Sequence, residues 1–86
     1  MINETMIEFY SISIRNLKNR IVKFSFASKH LKNLYITNKP TLSDIEKATI
    51  KEKISYYELK IADFQDRIEK FENLKSELLI DTTANM

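Results

Sequence analysis

Glycine is absent from this chain of 86 residues. Without it no position takes a positive φ free of steric cost, so tight hairpin turns, phosphate-cradling loops and glycine-capped helix ends are all disfavoured. Cysteine is absent too, which removes disulfides and thiolate metal sites, and the single histidine, His30, cannot make a zinc site alone. Proline occurs once, at Pro40, so one point in the sequence breaks helix outright. No uninterrupted apolar run exceeds three residues, against the roughly 20 that a membrane-spanning helix requires. The first residues carry Glu4 and Glu8 where a secretory signal would be basic. Together these features predict a soluble, unprocessed cytoplasmic protein that holds no cofactor and no metal.

What is present is a heptad pattern. Ile7/Tyr10, Ile14/Leu17 and Ile21/Phe24 lead on to Ser28, Leu31 and Tyr35, and the second half repeats the pattern as Ile54/Tyr57, Ile61/Phe64 and Ile68/Phe71. Apolar residues spaced alternately three and four apart hold one stripe against a partner helix, which is the condition for a coiled-coil seam. With Pro40 between the two halves, the chain reads as a single all-α domain, an antiparallel two-helix hairpin that dimerises into a four-helix bundle. The expected bounds are a helix over residues 4–35, a loop over 36–42, a helix over 43–80 and a frayed tail over 81–86. Asn3 or Thr5 caps the first helix, Thr5 having Glu8 three residues on, while Lys29, His30 and Lys32 suit its carbonyl end. Asn38 is the candidate left-handed residue after that end. Thr41 or Ser43 caps the second helix, Ser43 with Glu46 forming a capping box, and Asp63/Arg67 and Asp66/Lys70 are favourable pairs one turn apart.

A register follows from size matching. Facing Phe24 with Ile54, Ile21 with Tyr57, Leu17 with Ile61, Ile14 with Phe64, Tyr10 with Ile68 and Ile7 with Phe71 sets one isoleucine against one larger residue in every layer. Its midpoint falls at Lys39, inside the expected loop. Ser28 would then face Ile50 and Leu31 would face Lys47, so Ile45, Ala48 and Thr49 are expected to pack near the loop by a local phase shift. Lys75 at a seam position loosens the open end.

The residues outside that stripe hold the functional question. Ile12, Val22 and Phe26 on the first arm, and Tyr56 and Leu59 on the second, point away from the seam and are the candidate protein-interface residues. They read either as single exposed residues beside a slightly bent seam, or as a contact with a second hairpin in a homodimer or with a protein partner. Charge is also uneven: from Ser11 to Ser43 there is no acid, whereas Arg15, Lys18, Arg20, Lys23, Lys29 and Lys32 all lie on the first arm. These six are the candidate nucleic-acid contacts under an alternative reading as an RNA- or DNA-binding hairpin. The competing reading pairs Lys18, Arg20 and Lys32 across the seam with acids of the second arm, and net charge is only +2. Catalysis is not expected, because the seam positions are isoleucine and aromatic where a helical enzyme turns polar groups inward.

In plan, a glycine-free hairpin that dimerises is similar to the Rop-type RNA-binding four-helix bundles, a likeness of architecture alone. The leading expectation is a small non-enzymatic interaction protein that self-associates and binds or regulates another protein through its outer helix faces. Its size is that of many phage and mobile-element regulators. Lysine outnumbers arginine 11 to 3 beside 12 isoleucines, as in AT-rich coding sequences.

Overall fold

The computed structural model describes the backbone of residues 2–84 and the side chains of residues 4–80. Helix α1 spans Ile2–Asn38 and helix α2 spans Asp44–Ala84, joined by a single 3₁₀ turn at Lys39–Thr41 and two further residues, Leu42 and Ser43. The two helices fold back on each other into a rod of 66 × 14 × 14 Å. The all-helical hairpin expected from the heptads is therefore the fold.

The seam is where the sequence places it. Every expected position of α1, from Ile7 through Tyr35, is buried or half-buried, as are Ile54, Tyr57, Ile61, Phe64, Ile68, Phe71 and Lys75 on α2. At its centre Ile14, Leu17, Phe64 and Ile68 form the buried core, with Ile21, Phe24 and Phe71 packed against it. Each of the four buried side chains contributes about 1.5–3 kcal/mol of burial free energy, and the half-buried three contribute less.

The register differs from expectation by one heptad. The Phe24 ring lies 5.5 Å from Tyr57 and 5.4 Å from Phe64, which bracket Ile61, so Phe24 stands level with Ile61 and not with Ile54. Farther along, Lys32 meets Glu58 at 2.8 Å and Lys51 lies over the Tyr35 ring at 5.4 Å, both consistent with the same shift. The cause is the link. With α1 running to Asn38 and α2 starting at Asp44, the observed pairing reverses the chain between Leu42 and Ser43, whereas the expected pairing would have set Asn38 against Pro40. Size matching could not tell the two registers apart, since a slide of seven residues again sets isoleucine against phenylalanine or leucine. The observed register also explains the serine in the seam: Ser28, 4% exposed, comes level with the bulky Tyr57. Leu31 comes level with Ile54 and Tyr35 with Ile50, so no local phase shift is needed. Ile45, Ala48 and Thr49 are exposed instead of packed, and the Thr49 hydroxyl donates to the Ile45 carbonyl at 2.9 Å.

The helix ends are also corrected. Nothing between Tyr35 and Pro40 stops a helix, so α1 runs three residues past the expected end and turns Ile36 into a helical residue. Lys29, His30 and Lys32 consequently lie more than a turn short of the carbonyl end. Asn38 is not left-handed: its φ is −105° and ψ is 5°. Its carbonyl accepts the Leu42 N–H at 3.1 Å and the Thr41 hydroxyl at 2.9 Å, while its own side-chain amide donates to the Leu34 carbonyl at 3.1 Å. The helix thus ends through side-chain and 3₁₀ bonds that need no glycine. At the start of α2 the capping box is formed, Glu46 N–H donating to Ser43 Oγ at 3.1 Å and Ser43 N–H to Glu46 Oε1 at 3.4 Å. Thr41, committed to Asn38, does not cap. Because α1 already begins at Ile2, Thr5 lies inside the helix and is not its cap, and the Asn3 side chain lies outside the described residues. Of the tail expected to fray, residues 81–84 continue α2, and Asn85 and Met86 lie outside the described residues.

Candidate interaction surfaces

Two flanks run along the rod, one on each side of the seam. On one, Ser13, Asn16 and Arg20 of α1 face Arg67, Lys70 and Leu74 of α2 across an open groove of about 430 Å³ floored by Leu17 and Phe71. On the other, Lys18, Ser25, Lys29 and Lys32 face Glu58, Glu72, Ser76 and Leu79 across two further grooves. The first flank is basic on both arms. The second is basic on α1 and carries Glu58 and Glu72 beside Lys75 on α2.

That division separates the candidate nucleic-acid residues. Helical spacing sets Arg20 and Lys23 on the first flank and Arg15, Lys18, Lys29 and Lys32 on the second, so the six do not share one face. Lys32 is joined across the arms to Glu58 at 2.8 Å, and Lys18 lines the same groove as Glu72. Arg20 lies over the Phe64 ring at 6.0 Å instead of meeting an acid. The pairs within α2 form as expected, Arg67 with Asp63 at 3.1 Å and Lys70 with Asp66 at 3.4 Å, which partly neutralises the basic rim of the first groove.

The five candidate interface residues are all exposed and are likewise divided. Val22 and Phe26 are 68% and 76% exposed, one turn apart on the outer side of α1. Tyr56 and Leu59 lie at the same height of the rod but on the outside of α2, turned toward the opposite flank. Tyr56 is partly engaged within the chain, edge-on to Tyr57 at 5.7 Å and under the Lys60 ammonium at 5.8 Å. Ile12 stands two heptads before Phe26 on the same strip of α1.

Two features escape the sequence reading. Ile36, assigned to a loop, is a helical residue 72% exposed, and helical spacing puts it on the strip of Ile12, Val22 and Phe26. At the open end, exposed Phe9 packs edge-on to Phe71 at 6.5 Å and to Tyr10 at 5.8 Å, with exposed Met6 and Leu74 on the same flank. The signal for the second was the spacing of Met6, Phe9, Ser13, Asn16 and Arg20, a face adjoining the seam.

Among the described residues no cluster of three His, Cys, Asp or Glu could hold a metal ion, and no helix is long and apolar enough to cross a membrane. No protein-family model, curated protein or solved structure matches the chain.

Proposed function

We propose that this chain is a small non-catalytic interaction protein whose hairpin is half of a four-helix bundle, and which binds another protein through the helix faces that remain outside. One observation carries the reading. Among the described residues four apolar side chains are buried, whereas thirteen large ones are exposed. Two helices in contact along one line have no interior deep enough to bury more, and pairing a second hairpin on an outer face is the commonest way to supply it. The seam itself argues against chemistry, since its central layers are aliphatic and aromatic and its grooves are open. Sedimentation of the wild-type protein over a wide range of concentration tests the self-association. A dimer is expected, and a monomer at the highest soluble concentration overturns it. Capture of a protein that survives nuclease and high salt supports the second half of the reading, whereas capture lost to nuclease favours the nucleic-acid reading.

A further inference from the structure

The outer strip of α1 reads Ile12, Arg15, Asn19, Val22, Phe26, Lys29, Asn33, Ile36. These residues are again spaced alternately three and four apart, and they lie nearly opposite the seam. Their exposed apolar members are Ile12 at 40%, Val22 at 68%, Phe26 at 76% and Ile36 at 72%. The strip is also symmetrical about Phe24. Reversed upon itself there, it sets Val22 against Phe26, Ile12 against Ile36, Arg15 against Asn33 and Asn19 against Lys29.

We infer that this strip is a twofold interface, on which α1 packs antiparallel against α1 of a second copy of the same chain, with Val22 of each copy against Phe26 of the other. This rests on the self-association proposed above and adds which face, which direction and which register. Three comparisons single out that arrangement. Sliding the pair by one heptad in one direction sets Val22 against Asn33 and Phe26 against Lys29. Sliding it in the other sets Val22 against Asn19 and Phe26 against Arg15. Both slides set Val22 and Phe26 against polar or charged residues, and each does the same to one end of the strip, Ile36 against Asn19 in the first and Ile12 against Lys29 in the second. A parallel pairing keeps apolar against apolar but puts Arg15 on Arg15 and Lys29 on Lys29, like charges face to face. The antiparallel pairing gives both bases an asparagine. A second copy is therefore a better occupant than an unrelated helix, because the pattern is complementary to its own reverse, as an isologous interface requires. Since the strip lies almost opposite the seam, the four helices stand in a row, α2, α1, α1, α2, which covers the outer strip of α1 with a third seam and departs from the closed core of a four-helix bundle.

Charge placement supplies the test. Val22→Lys combined with Phe26→Lys sets lysine against lysine in the antiparallel pair and should weaken association at least about a hundredfold by sedimentation, the loss expected for two apolar contacts on each side. Val22→Glu combined with Phe26→Lys sets glutamate against lysine twice and should restore much of it. In a parallel pair that second variant would set like charges together and remain monomeric, which overturns the antiparallel register. Both side chains are exposed, so far-ultraviolet circular dichroism should show unchanged helix in every variant. A wild type that is monomeric overturns the self-association itself. A wild-type dimer that survives the double lysine variant leaves the self-association standing and overturns this interface alone.

Discussion

The ring of Phe24 lies 5.4 Å from the ring of Phe64 across the two arms. This pair fixes the register, and it predicts an energetic coupling. Rings at that separation are worth about 0.5–1.5 kcal/mol beyond their area. A double-mutant cycle with Phe24→Leu and Phe64→Leu, followed by urea denaturation, should return a coupling in that range. The same cycle between Phe24→Leu and Ile54→Val should return a value near zero, since residues without contact add independently. A coupling found with Ile54 and absent with Phe64 would restore the register expected from size matching.

The capping box of α2 predicts a cost that its neighbour does not share. Ser43→Ala removes the acceptor of the Glu46 N–H, and such losses cost about 1 kcal/mol. Thr41→Ala removes a hydroxyl bonded only to the Asn38 carbonyl, which the Leu42 N–H also serves. Denaturation midpoints should therefore fall clearly for the first variant and little for the second. Equal effects would show that the helix start is held elsewhere.

Lys32 and Glu58 form an ion pair across the arms, yet both side chains are about half exposed. Solvent screens such a pair, and its worth is about 0.2–1 kcal/mol. Lys32→Ala should shift stability by no more than that, and the shift should vanish in molar salt. A larger, salt-independent loss would mean that the lysine stem, and not its charge, holds the arms together.

Salt should act on the proposed dimer in the opposite sense to its action on a nucleic-acid complex. Packing α1 on α1 brings together two helices with no acid from Ser11 onward, so their repulsion is strongest when unscreened. The Debye length falls from roughly 30 Å at 0.01 M to roughly 8 Å at 0.15 M, and self-association measured by sedimentation should tighten over that range. Phosphate binding would instead weaken with salt, because its driving force is counterion release. A dimer that loosens as salt rises would place acids of α2 in the interface.

The stripe was legible in the sequence because burial of one face is a local property. Positions such as Ile14, Leu17, Phe64 and Ile68 declare themselves by spacing alone, and the two ion pairs within α2 follow from the same spacing. The register was not, because a heptad pattern repeats itself and both settings satisfy the same size rule. What chose between them was the point at which the chain reverses, and that depended on a helix end. Helix ends are legible where a breaker stands, as at Pro40, but nothing at Ile36, Thr37 or Asn38 marks a stop. Ile36, the counterpart of Ile12 about Phe24, joins the outer strip only because α1 runs on to Asn38. The grooved flank was missed for another reason. Phe9 and Leu74 are on different arms, and only the true register brings them to one level.

The short link has a consequence for how the rod forms. In a hairpin, contacts nearest the turn close the smallest loops and cost the least chain entropy, whereas Ile7 and Leu78 can meet only after almost the whole chain is fixed. Zippering therefore runs outward from Tyr35 and Ile50, and each layer that closes lowers the entropic cost of the next. Opening runs the other way. Local melting begins at the end where Met6, Phe9 and Leu74 lie exposed and Lys75 interrupts the seam, so amide protons there should exchange first and those around Leu17 and Phe64 last.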